Sequence, residues 1–434
     1  MRPAEPRAVW VRAFFIALAF TFCALGVRLF FGYPRCQNDE LNWVQIARSI
    51  DSGQDWPVSG PSFIYILRAL KEQTQLHYAH LISGLGVFSV FTGSLLLILG
   101  FTRLRIAKPG FTLMALAFSS YFWVPLLEAR PQQWGQILVF LGAIAAWLWL
   151  HRRGGWALFP ILLLVSVSHI LSHAILVWVC AVLTLADYFE NRPLNRRHVI
   201  LIAASLLSLI VYVVPGGPYQ TMLIDIQHNH LHRLLYVAPY LGAAALGVIL
   251  LVVALQPRLH WRSHWSLATA RYVLAHRRTI CIGLFLLVLA ALSTQALILP
   301  AASWLPYGGS PWKFLYFQIG NMAFAALFAR GIFHFLNGIL AQEIDMSNSR
   351  LLIWALVAFG ILASITLVAS FWMLDTNWLL RLLNYAILFA APIAALSLQN
   401  SRTLQRWPAL YVLAIPLFLL SICQAVRPVG YLGC

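Results

Sequence analysis

Apolar runs of about twenty residues, separated by short polar segments, recur from one end of the chain to the other, and that length matches the hydrocarbon thickness of a bilayer. The runs are continuous, rich in Leu, Ala and Ile, and lack the strict alternation of a membrane β-barrel, so they predict helices. The expected spans cover residues 13–31, 80–102, 111–127, 136–150 and 199–214. They continue with one span between Arg233 and Gln256 and others over 279–299, 314–336, 351–373, 379–398 and 408–422. The stretch 156–188 is too long for one span and short for two. It breaks at Ser168-His169-Ile170-Leu171-Ser172-His173, which predicts two short helices meeting at a polar turn. The sum is an all-α polytopic transmembrane bundle of about thirteen spans.

Composition agrees: 61% of the 434 residues are hydrophobic and 10% charged, and the mean hydropathy is +0.78. The net charge of +17 at first suggests nucleic acid, but the basic residues fall in short clusters between apolar runs, with no basic stripe interleaved with aromatics. Their alternation instead orients the spans, with the N-terminus cytoplasmic and the C-terminus on the outer face. The run 13–31 reads as a first membrane anchor, being too long for the apolar core of a removable signal. The six cysteines form no CxxC pair and indicate no zinc or redox site. Cys36 and Cys434 both fall on the expected outer side, where a disulfide can persist; unpaired cysteines are the simpler reading.

Only 13 acidic residues accompany 30 basic ones, so the adjacent pair Asp39-Glu40 just past the first run stands out. The segment after it predicts two surface helices. In one, Trp43, Ile46, Ala47 and Ile50 share an apolar face opposite Arg48 and Asp51; in the other, 62–72, Phe63, Ile66, Leu67 and Leu70 do so. Asp39 suits a helix N-cap with Glu40 in the first turn, and a carboxylate on that rigid platform can equally act as a base at the membrane surface. Arg130 precedes Pro131 at the start of the fourth span, where its guanidinium can fork onto a phosphate or pair with Glu128. His169 and His173 flank the broken stretch, either as packing residues or as the lining of a polar cavity; a divalent metal there requires a carboxylate brought in by the fold. The cluster His228, His230, His232 and Arg233 and the group Trp304, Tyr307, Trp312 and Lys313 lie in later outer segments.

An acidic pair after the first span, two amphipathic helices in the first outer loop, an Arg-Pro opening the fourth span and a broken pair bent at a polar turn resemble the GT-C superfamily. These are integral-membrane glycosyltransferases that use polyprenyl-phosphate sugars, such as aminoarabinose transferases and protein O-mannosyltransferases. The resemblance covers roughly residues 10–215. It implies a catalytic transmembrane module over 1–215 and a variable C-terminal transmembrane module over 216–434. It also implies a multi-pass protein of the bacterial inner membrane with its site on the periplasmic face. Asp39 matches the catalytic acid of the family's first loop, with Glu40 beside it, and Arg130, His169 and His173 match positions lining the lipid-phosphate pocket. Arg233 and Lys313 are further candidates for the phosphate. The implied partners are membrane lipids, a polyprenyl-phosphate-linked sugar donor and a lipid or glycan acceptor, with no cofactor; no large soluble outer domain follows the last span to grip a protein. Two alternatives remain at this level: a transporter or flippase of lipid-linked sugars, for which Arg330 and His334 would line a pathway, and an O-antigen ligase or polymerase.

Overall fold

The computed structural model describes residues 6–31, 39–54, 59–151, 154–189, 195–214, 219, 271–276, 279, 282–283, 311–373 and 377–401. The expected span after Arg233, the one over 408–422 and, apart from three isolated positions, the one over 279–299 lie outside these residues, as do Cys36, Cys434, Arg233 and the His228–His232 cluster. The described structure is helical, without strands among these residues. Its first part comprises α1 (Pro6–Phe31), α2 (Asp39–Asp51), α3 (Pro61–Thr74), α4 (Tyr78–Leu104), α5 (Pro109–Ala117), α6 (Ser120–Leu127) and α7 (Pro131–Leu150). There follow α8 (Leu158–Ser168), α9 (Ile170–Phe189), α10 (Arg196–Ser208), α11 (Ile210–Val213), α12 (Pro311–Leu340), α13 (Met346–Met373) and α14 (Asn377–Gln399).

Six of these helices are long and apolar enough to cross a membrane: α4, α7, α9, α12, α13 and α14. Prolines at the first position of α3, α5 and α7 mark their starts, since a residue there has no intrahelical bond to lose. Two of the expected spans are interrupted. The run 111–127 divides into α5 and α6 around Phe118-Ser119, where the Ser119 hydroxyl is bonded to Asn321 on α12 at 2.6 Å. The stretch 156–188 breaks at His169, whose extended backbone (φ −163°, ψ 122°) ends α8. Of the two helices expected there to be short, only α8 is so; α9 has twenty residues and a full membrane length.

The central helix is α7, which packs on α4, α8, α9, α10 and α14. Phe140 on α7 lies 5.0 Å from the ring of Phe101 on α4 and 5.2 Å from that of Phe389 on α14, binding three helices through one aromatic stack. Gly135 lets Ser172 of α9 lie directly against α7; any side chain there would occupy the position of the serine hydroxyl. The main core runs continuously from Ala24 to Leu398, so helices on both sides of position 215 share it, with α14 against α5, α6 and α7 and α13 against α9. Large apolar side chains on the outside of α1 (Phe14, Phe15, Phe22, Leu29, Phe30) and α10 (Val199, Ile202, Leu206, Leu207) are exposed, as a lipid-facing surface requires.

A second, smaller core fixes the surface helices. Trp43, Val44 and Ala47 of α2 pack on Phe63, Ile64 and Leu67 of α3 and on Tyr78, Leu81 and Ile82 of α4, with Trp43 edge-on to Phe63 at 5.6 Å. The apolar face of α2, which its pattern assigns to the membrane interface, is therefore covered by protein. The far end of α2 is tied down by Asp51, which accepts from Arg68 Nε at 2.9 Å, Lys71 Nζ at 2.7 Å and the Tyr78 hydroxyl at 2.7 Å. At the end of the bundle remote from Glu40, buried Asp187 of α9 lies 3.0 Å from His198 Nε2 on α10 and 3.7 Å from His151 Nε2 after α7. His198 also completes the N-terminal cap of α10, its Nδ1 accepting from the Asn195 amide while the Asn195 side chain accepts from Arg197 N.

Burial alone would raise the Asp51 carboxyl; hydrogen bonds from Lys71 and Tyr78 and the charges of Lys71 and Arg68 outweigh it and hold the pKa below the ordinary value. Its contribution to stability is thus complete above the ordinary carboxylate pKa and is lost as the pH falls through the lowered one. Asp51→Asn is expected to lower stability near neutral pH by about 1 kcal/mol, the scale of a small exposed ion-pair network. Thermal unfolding of the purified protein checks this, and the difference from the parent should shrink as the pH falls below the ordinary carboxylate value.

Candidate functional site

Four segments far apart in sequence meet at one end of the bundle: the end of α1, the start of α2, the turn between α6 and α7, and the break between α8 and α9. Arg28 in the last turn of α1 and Glu40 in the first turn of α2 form a buried, bidentate ion pair. Arg28 Nη1 lies 2.7 Å from Glu40 Oε1 and Nη2 lies 3.2 Å from Oε2. The pair reaches further. Arg28 Nη1 also donates to the Leu127 carbonyl at 2.6 Å, and Glu40 Oε1 accepts from the Ala129 amide at 2.7 Å. Gly86 on α4 makes room for this, because a Cβ there would stand 2.5 Å from Nη1. Burial pushes the Glu40 carboxyl above its ordinary value, while Arg28, the Ala129 amide and the Arg130 charge pull it back toward the ionised form.

Glu40 thereby anchors the turn that carries Arg130, which occupies the N-cap position of α7 in extended conformation (φ −148°, ψ 159°). Arg130 Nε lies 3.3 Å from Glu128 Oε2, and its charge acts on Glu40, on His169 and on Tyr385 of α14. Beside it, buried Gln132 has an amide nitrogen with no hydrogen-bond partner, and Gln133 has a carbonyl oxygen in the same state. Gln133 spends its amide on the Leu126 carbonyl and Gln136 spends its own on the Asn384 carbonyl of α14. The segment ahead of α3 closes this corner, with Ile170 N donating to the Ser59 carbonyl at 3.0 Å.

His169 and His173 sit on the same break but face different partners. His169 Nδ1 lies 2.9 Å from the Ser172 hydroxyl, which lies 2.7 Å from the Tyr385 hydroxyl. Burial, then the charges of Arg381 and Arg130, lower the His169 pKa to about 3, so the ring is neutral across the physiological range. His173 turns toward α10 and α11, with Nδ1 2.7 Å from the Tyr212 hydroxyl and Nε2 2.7 Å from Ser208 Oγ. Since the Ser208 hydroxyl donates to the Ser205 carbonyl, Nε2–H donates to Ser208 and Nδ1 accepts from Tyr212. Both nitrogens of His173 are thus consumed in fastening α9 to α10 and α11.

The structure brings together Glu40, Arg130 and His169, and places Asp39 at the first position of α2, one residue before Glu40. Lys313 lies in the first turn of α12, and Arg233 lies outside the described residues. Among the described residues no group of three His, Cys, Asp or Glu side chains is arranged to hold a metal ion. Three participants escaped sequence reasoning. Arg28 ends an apolar run, where an arginine ordinarily snorkels, and Tyr385 and Arg381 belong to a span whose few polar residues form no motif. Chemically the corner offers two cations, an amide without a partner and an imidazole held neutral, an arrangement suited to an anionic group.

Removing one partner of the Arg28–Glu40 pair leaves an uncompensated buried charge. Arg28→Met or Glu40→Gln alone is expected to cost about 3–5 kcal/mol, and the double variant less than the sum of the two. A thermal-unfolding cycle on the four proteins measures the coupling; additive losses would remove the pair from its anchoring role.

No protein-family model, curated protein or solved structure matches this chain.

Proposed function

We propose that this chain is an inverting glycosyltransferase of the GT-C kind, moving a sugar from a polyprenyl-phosphate donor to a lipid or glycan acceptor at the membrane face where Glu40, Arg130 and His169 meet. The observation that carries this reading is the meeting itself. A helix opened by an acidic pair is bonded through Glu40 to the turn that presents Arg130, and a neutral buried histidine closes the same corner. In this reading the face is the outer, periplasmic one, as the basic clusters assign it. Nucleotide sugars are then out of reach, and the donor is one already carried across the membrane.

The chemistry follows from those positions. Arg130 holds the phosphate of the donor, whose isoprenoid tail enters from the surrounding lipid. Asp39 takes the proton of the acceptor hydroxyl as its oxygen attacks the anomeric carbon from the side opposite the phosphate. A bond forms between the acceptor oxygen and the anomeric carbon, and the bond between that carbon and the phosphate oxygen breaks. The anomeric configuration inverts, and the polyprenyl phosphate leaves with its pair of electrons. Charge builds on that departing oxygen, which is where guanidinium stabilisation acts. Glu40, with both oxygens engaged, serves this reaction by holding the platform rather than by exchanging protons.

Two variants test the reading in an assay with radiolabelled polyprenyl-phosphate sugars and no added energy source. Asp39→Asn is expected to abolish transfer while leaving thermal unfolding and donor binding close to the parent, and full activity in that variant would sink the assignment. Arg130→Ala is expected to weaken apparent donor affinity by about tenfold or more, the worth of one charge-assisted contact. Passage of the labelled lipid across the membrane without transfer would instead indicate a carrier.

A further inference from the structure

The hydrogen positions around His169 are fixed by their neighbours. The Ser172 backbone amide donates to His169 Nδ1 at 3.3 Å, so that nitrogen carries its lone pair and the proton of the neutral ring is on Nε2. The Ser172 hydroxyl, 2.9 Å from the same lone pair, must donate to it. The Tyr385 hydroxyl, 2.7 Å from Ser172 Oγ, must then donate to the serine. Three hydrogens point one way, from Tyr385 through Ser172 to His169, and the chain ends in a single outgoing donor, Nε2–H. That donor has no partner among the described residues, on a ring only 7% exposed. The charges acting on the ring, Arg381 on its own helix α14 and Arg130 ahead of α7, are both positive. The polar side chains linked to it are Ser172 and, through the serine, Tyr385. A neutral donor with no acceptor, under the charge of two arginines, is suited to an anion.

We infer that Tyr385 and Ser172 are positioning residues that hold His169 as a fixed Nε2–H donor to a phosphate oxygen bound beside Arg130, so that α14 of the second half of the chain completes the site. The inference rests on the proposed function for the identity of the phosphate as that of a polyprenyl lipid. It assigns His169 a role distinct from acid–base catalysis: the ring donates a hydrogen bond and keeps its proton. The turn at Ser168–His169 serves the same end, because only an interrupted helix lets the histidine face α7 and α14 while Ser172, three residues on, reaches back to its Nδ1.

The full chain in lipid nanodiscs, with ¹⁵N-labelled histidine, provides the test. The signal lost in His169→Gln identifies His169, and it is expected to show the Nε2–H tautomer unchanged from pH 5 to 9. Ser172→Ala should admit the second tautomer, and Tyr385→Phe should do so to a smaller degree. Binding of undecaprenyl phosphate alone, with no sugar attached, is then measured by native mass spectrometry. His169→Leu is expected to weaken it about tenfold or more, whereas His169→Gln, whose amide supplies a replacement N–H, should stay within about threefold of the parent. An Nδ1–H tautomer, a titration between pH 5 and 8, or equal binding by parent and His169→Leu each overturns the inference. Binding that depends on His169 in a protein that transfers no sugar would uphold the anion site and instead remove the glycosyltransferase reading.

Discussion

The buried pair of Arg28 and Glu40 is the constraint on which this end of the molecule depends. Two charges taken out of water and lipid are costly, and their attraction offsets that cost only when the geometry is tight and the remaining valences are filled. Here they are filled by backbone, with the Leu127 carbonyl on the arginine and the Ala129 amide on the glutamate. The consequence is geometric as much as energetic. Neither the end of α1 nor the start of α2 can shift without leaving a charge unmatched, and the turn before α7 is bound to both. Position 39 and position 130, remote in sequence, are held in one register through a contact that neither of them makes.

Much of this architecture was legible in the chain, and what was not has identifiable causes. Apolar runs of bilayer length gave the long helices α4, α7, α12, α13 and α14 to within a few residues, because length against lipid thickness is a strong constraint. The break at 168–173 was visible because serine and histidine interrupted an otherwise apolar stretch. The break at Ser119 was not, since two small serines in a run are ordinary; the partner of the Ser119 hydroxyl, Asn321, lies two hundred residues away. Amphipathicity in α2 assigned its apolar face to the membrane interface, and the packed helices α3 and α4 took that place. Arg28 was hidden by its position, as a basic residue closing a membrane run looks like the usual charged flank. Asp187 and its two histidines drew no attention for a similar reason: spread over three helices, they form no motif.

The two ends of the bundle differ in the sign of what is gathered there. Around Asp187 a carboxylate lies between imidazoles, an acidic group supplied with potential donors. Around His169 the balance is reversed, with Arg130, Arg381, an amide without a partner and an outgoing imidazole N–H. The carboxylates of Glu40 and Glu128 are engaged with Arg28 and Arg130. The second end thus keeps donors without acceptors beside positive charges, and an unmet donor inside a low-dielectric bundle is a cost that a bound anion would relieve.

That imbalance also explains why helices from both halves of the chain must meet there. The first half alone supplies Arg130, Gln132 and His169, and Ser172 in the same turn sets the tautomer, but a donor outside the turn must fix the direction of the serine hydroxyl. Tyr385 does so from α14, whose neighbour Asn384 receives the Gln136 amide of α7. The Tyr385 hydroxyl and the Asn384 backbone carbonyl of α14 thus act on α9 and α7 rather than within their own helix. A shared core spanning position 215 follows from the same requirement, since a donor aimed to within a fraction of an ångström needs the helix that aims it to be packed rigidly against the helix that bears it.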